Sequence, residues 1–98
     1  ISAEILHATT GFEAIKLAKS NPDADLILMD SKMPELDGME AVQQIRRFNP
    51  EIYIIAQTAY AQDEFRTKSF EAGCNEFIEK PVNKDKLMNL IAKGIRKN

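Results

Sequence analysis

A chain of 98 residues holds one domain with a single core and little to spare. Its 44% hydrophobic and 29% charged content is ordinary for a globular domain, with no apolar run of membrane-spanning length and no signal-peptide pattern. A formal charge of −2 with scattered basic residues argues against direct contact with nucleic acid, and a lone cysteine, Cys74, excludes an internal disulfide and fits a reducing, cytoplasmic compartment.

"AEILHA" at 3–8 predicts a strand, and "TTGFEAIKLAKSN" after it predicts a helix with Thr10 as N-cap and Phe12, Ile15 and Ala18 on one face. "NPDAD" reads as a turn, with Pro22 just beyond the helix end. "LILM" at 26–29 is a continuous apolar strand, the form expected when both faces are covered. "DGMEAVQQIRRFN" predicts a helix capped by Asp37, with Met39, Val42 and Ile45 facing inward and Arg46–Arg47 on a solvated face. "IYIIA" at 52–56 is a buried strand rich in β-branched residues. "AQDEFRTKSFEAG" at 61–73 predicts a helix closed by Gly73, its thin apolar stripe making it the least firmly anchored. "EFIE" at 76–79 is a short strand, "KPVN" a turn, and the last helix starts near Lys84 with Leu87, Leu90, Ile91 and Ile95 on one face. The order βαβαβαβα implies a three-layer α/β fold, a parallel sheet with helices on both faces.

In such sheets ligands collect beyond the carboxyl ends of the strands. Asp30, Thr58 and Lys80 each fall at or just past such an end, and if the strands are parallel and adjacent all three point into one crevice. An ionised carboxylate is costly to bury without partners, and Lys80 and Thr58 supply them. A carboxylate beside an ammonium and a hydroxyl suits nucleophilic attack on phosphorus, giving an aspartyl phosphate at Asp30. Lys80 would offset the developing charge, and Thr58 and the backbone N–H of Ala59 would donate to phosphoryl oxygens. Mg2+ is the usual companion of this chemistry. Taken singly the same residues have plainer readings: Asp30 as a loop cap, Lys80 as a solvated lysine, Thr58 as a strand-end hydroxyl, Phe77 as core. His7, a lone histidine on the first strand, is given no role, and Cys74 reads as a small buried residue. Met33–Pro34 shapes the loop after Asp30, and Glu35 faces solvent.

"LILMDSKMPELDG", "IIAQTAYA" and "FIEKPV" together resemble the receiver domain of bacterial two-component response regulators, a flavodoxin-like parallel sheet, over the chain from about Ala3 to the final helix. The resemblance implies that Asp30 is the phosphoacceptor, Lys80 the active-site lysine, and Thr58 the hydroxyl that moves towards the phosphoryl group. It makes Phe77 the switch aromatic, Asp30 and the main-chain carbonyl of Lys32 metal ligands, and Lys80–Pro81 a cis peptide. The bulk of Tyr60 and Lys32 implies slow loss of the phosphoryl group. Implied partners are a histidine kinase as donor and an output domain or second receiver, docking on the third helix and last strand. Such a domain is a regulatory phosphoacceptor, not an enzyme.

The sequence also departs from the family. It opens on Ile1, at what would be the family's second strand, which implies a gene product continuing upstream. On this reading residues 1–98 form a receiver domain lacking its first strand, acidic pair and first helix, with weak or absent Mg2+ binding and poor phosphorylation of this piece on its own. The family's strand order, 2-1-3-4-5, makes the missing strand an interior one. The expected consequence is either a strand-exchanged homodimer or other self-association, or direct pairing of the strands at 3–8 and 26–29. The rival reading is a receiver-like interaction domain that works without phosphorylation. A phosphatase of the haloacid dehalogenase kind needs a second Asp two positions after the first, where Lys32 stands.

Overall fold

Strand and helix alternate as the sequence predicts in the computed structural model, which describes residues 3–31, 36–58 and 63–97. In chain order the elements are β1 (Ile5–Ala8), α1 (Gly11–Ser20), β2 (Leu26–Ser31), α2 (Leu36–Phe48), β3 (Tyr53–Thr58), α3 (Asp63–Ala72), β4 (Glu76–Glu79) and α4 (Lys84–Lys97). The strands form one parallel sheet in the order β1-β2-β3-β4. Direct pairing is therefore the arrangement found: β1 lies on β2, with Ile5 opposite Leu26 and Ala8 opposite Met29.

The period-two alternation of the strands builds two cores. Leu6, Ala8, Ile27, Met29 and Ile54 pack with Ala14 and Ala18 of α1, Val42 and Ile45 of α2 and Ala72 of α3. Leu26, Tyr53, Ile55 and Ile78 lie on the other face, against Leu87, Leu90 and Ile91 of α4. Each fully buried Leu or Ile contributes roughly 1.5–3 kcal/mol. Gly94 lets α4 settle onto β3, because an added Cβ would stand 2.5 Å from Tyr53 Cδ2. Where α4 does not reach, Ile5 on the β1 edge stays 42% exposed.

Local chemistry accounts for most boundaries. The Thr10 hydroxyl accepts from Glu13 N–H at 3.0 Å, and the Glu13 carboxylate reaches back to Thr9 N–H at 2.7 Å, a capping box displaced by one residue. α3 ends in a Schellman motif: Gly73 N–H donates to Phe70 O and Cys74 N–H to Ser69 O, with Gly73 at φ 123°. Asn83 caps α4 through Lys86 N–H.

Three expectations need correction. Phe12 does not face the core; it is 80% exposed, and the inward stripe of α1 is Gly11, Ala14 and Ala18, small residues that let the helix lie close. Asp37 falls inside α2 rather than at its cap, since a capping preference of about 1 kcal/mol does not fix a boundary to the residue. Arg46 is not on a solvated face. It is half-buried, and its guanidinium donates to Gly73 O, Asn49 O, Ile52 O and Asn75 Oδ1. Main-chain carbonyls left bare at the ends of α3 and β3 find their donor there. Burial pulls the Arg46 pKa down, the neighbouring Cys74 opposing it.

Candidate functional site

β2 carries Asp30 to the carboxyl rim of the sheet, opposite Gln57 of β3. Alternation sends it to the same side as Leu28, beyond the reach of the α4 core. The chain leaves β4 at Glu79, and Lys80 N–H is fixed by donation to Thr58 O at 2.8 Å. The Lys80–Pro81 peptide is cis, as the resemblance implied. From that anchor the Lys80 ammonium forms an ion pair with Asp30 Oδ1, the two side chains being 26% and 22% exposed. Oδ1 is itself buried, and among the described residues the ammonium is its partner. Two residues 50 positions apart in sequence thus meet because two parallel strands, β2 and β4, end at one rim with β3 between them.

Thr58 closes β3 opposite Ser31 and Glu79, buried at 7% exposure, so it stands at the same rim one position past Asp30. Phe77 lies on β4 opposite Ala56 and is 8% exposed, a buried aromatic three residues before Lys80. Lys32, Met33–Pro34, Glu35, Ala59 and Tyr60 lie outside the described residues.

One neighbour was missed. His7 Nε2 lies 3.8 Å from Asp30 Oδ2, with the imidazole 57% exposed. The signal was available: if β1 pairs directly with β2, alternation puts His7 on Asp30's side of the sheet.

Among the described residues, no three His, Cys, Asp or Glu side chains come together to hold a metal ion. Asp30 offers one carboxylate, while the ammonium and imidazole beside it are not the oxygen donors that Mg2+ takes. The described donor set therefore does not fit Mg2+. Among the described residues no helix is long and apolar enough to cross a membrane.

This geometry has relatives. Residues 2–92 match the family model of the response regulator receiver domain. The chemotaxis protein CheY of Halobacterium salinarum is 38% identical over 85 residues, 87% of this chain and 70% of that protein. A cyclic di-GMP phosphodiesterase of Thermotoga maritima is 34% identical over 92 residues, which is 94% of this chain but 24% of the longer protein. Among solved structures, the receiver domain of the Pseudomonas aeruginosa sensor histidine kinase PA1611, which holds a magnesium ion in its active-site cleft, superposes with a TM-score of 0.81 at 26% identity, covering 97% of this chain and 98% of that one. By its family match, its parallel sheet and its paired aspartate and lysine, this chain belongs to the response regulator receiver family.

Proposed function

We propose that this chain is a phosphoacceptor module of a two-component system, taking a phosphoryl group from the phosphohistidine of a cytoplasmic histidine kinase onto Asp30. The observation that carries the reading is the Lys80–Asp30 ion pair at the carboxyl rim. An Asp30 oxygen attacks phosphorus in line and the phosphorus–nitrogen bond breaks. The imidazole leaves neutral, keeping the proton it carried on its other nitrogen. Lys80, already beside the carboxylate, passes to a phosphoryl oxygen and balances its charge. The Thr58 hydroxyl and the Ala59 N–H donate to the others. As Thr58 turns inward it vacates space for Phe77, favouring a second conformation of the α3–β4 face, which then binds an output domain or another receiver.

The experiment is labelling with acetyl phosphate, followed by mass spectrometry of the intact chain. One phosphoryl group is expected, taken up slowly and only at high Mg2+, and absent from Asp30→Asn. No mass gain at saturating donor would overturn the reading. Mg2+ binding should be weak, in the millimolar range or beyond, because no three His, Cys, Asp or Glu side chains among the described residues converge to hold a metal. Amide shifts during an Mg2+ titration measure it, and micromolar affinity would contradict it. The same scarcity of oxygen donors favours one second reading, a receiver fold that docks partners without phosphorylation. A chain that resists acetyl phosphate yet still binds its kinase would point there.

A further inference from the structure

Lys80 and Asp30 meet across β3, so a residue of β3 must lie beneath them. In the parallel ladder Asp30 of β2 stands opposite Gln57 of β3, and Gln57 opposite Ile78 of β4. Residues opposite one another in a ladder share a face, and Ile55 and Ile78 fix that face as the one under α4. Lys80 follows Ile78 by two residues, so its ion pair with Asp30 Oδ1 passes over Gln57. The family order 2-1-3-4-5 also sets β3 of this chain between β2 and β4, so the placement does not turn on what pairs with the other edge of β2. Gln57 is a polar residue on an otherwise apolar strand, yet it is only 6% exposed. A buried carboxamide needs hydrogen-bond partners. The Ile78 side chain offers none, whereas Asp30 Oδ1 is itself buried, with the Lys80 ammonium paired to it. Strands about 4.8 Å apart leave a Gln side chain within reach of that oxygen.

We propose that Gln57 is a positioning residue of the phosphoacceptor pocket, its carboxamide N–H donating to Asp30 Oδ1 once the Lys80 ammonium passes to the phosphoryl group. This rests on the phosphoacceptor reading and deepens it. Because Oδ1 is buried, Oδ2 is the oxygen that attacks. With acetyl phosphate as donor, Oδ2 bonds to phosphorus, the bond from phosphorus to the acetyl oxygen breaks, and acetate leaves. No proton moves. The ammonium then follows the negative charge onto a phosphoryl oxygen, and Oδ1 becomes the carbonyl oxygen of an acyl phosphate, still buried. A buried acceptor left bare is costly, and Gln57 is the donor next to it.

Beryllofluoride, which stands in for the phosphoryl group, tests this when titrated into the whole chain at high Mg2+ and followed by fluorine NMR. Gln57→Met and Gln57→Leu, which keep the bulk and remove the donor, should each weaken binding about tenfold, the size of one lost bond to a buried acceptor. Gln57→Glu, of the same shape but with a second carboxylate beside Asp30, should weaken it further. In the wild type the Gln57 side-chain amide signal, identified as the one absent from Gln57→Met, should move downfield as beryllofluoride binds. Equal affinity in wild type and Gln57→Met, a Glu variant as tight as wild type, or a side-chain amide signal that stays put would overturn the inference and leave the phosphoacceptor reading intact. No bound fluoride in the wild type, or a bound signal that survives Asp30→Asn, would overturn both. Amide spectra of each variant establish that the sheet is retained.

Discussion

At the scale of single residues, the ion pair between Lys80 and Asp30 matters for where it lets charge go. Both side chains are about three-quarters covered, so water screens the pair incompletely and a cation there is worth more than on an open surface. On the phosphoacceptor reading, the ammonium that now pairs with the carboxylate, its residue anchored at the Thr58 carbonyl, would serve a phosphoryl oxygen with little movement. Removing it should slow labelling by acetyl phosphate by about 100-fold, the usual cost of one preorganised donor to a developing oxyanion. Lys80→Arg should fall between, because a planar guanidinium keeps the charge but cannot sit where a compact ammonium does. Initial rates of phosphoryl incorporation check both, and an unchanged rate in Lys80→Ala would remove Lys80 from the chemistry.

At the scale of elements, Arg46 joins the end of α2 to the turn between α3 and β4 and to the start of β3. Gly73 makes room for it, since a Cβ there would come within 2.8 Å of Arg46 Cγ and would also have to adopt φ 123°. Gly73→Ala should therefore cost about 2 kcal/mol, combining the left-handed penalty with the displaced side chain. Arg46→Met should cost about 2–3 kcal/mol by leaving half-buried carbonyls without a donor. In the double variant the steric part of the glycine penalty has already gone, so the two losses should sum to less than their parts. Urea denaturation measures all three, and strict additivity would mean that the arginine and the glycine do not meet. This junction also marks how far the sequence could be read. Alternation, Pro22, Gly73 and the threonine cap announce the elements because each acts through neighbours in the chain. Asp30, Thr58 and Lys80 were legible as a set because parallel strands end at one rim. Arg46 was not, since its partners at 73 and 75 come from another element and "RR" looks the same on a wet face. Phe12 failed for a related reason: small Gly11 and Ala14 carry the buried stripe, and hydrophobicity alone favours the larger residue. The contact between His7 and Asp30 depended on which strand lies beside β2, a matter of the whole sheet.

At the scale of the molecule, each face of the sheet holds an acid that folding keeps protonated. Burial raises the Cys74 thiol to about 12, partly opposed by Arg46, in the core under α1, α2 and α3. Tyr53, in the core under α4, is also raised to about 12, by burial first and then by its hydrogen bond to Glu76 and that carboxylate's charge. Both shifts run the same way. The unfolded chain releases these protons near the ordinary values of 9.0 and 10.0, whereas the folded chain holds them until about 12. Their contribution to stability is therefore whole below about pH 9 and is lost as pH rises from there through about 12. While one group titrates only in the unfolded chain, the loss runs at about 1.4 kcal/mol per pH unit, and it doubles when both do. For a domain this small, that loss is large against a total stability of order 5–15 kcal/mol. The urea midpoint should hold steady from pH 7 to about 8.5 and then fall with increasing steepness. Cys74→Ala lowers the neutral-pH midpoint by its lost packing, but it should delay the alkaline fall by about one pH unit, leaving Tyr53 alone to drive it. A midpoint level through pH 11, or an onset unmoved in Cys74→Ala, would mean that the thiol ionises as readily in the fold as outside it.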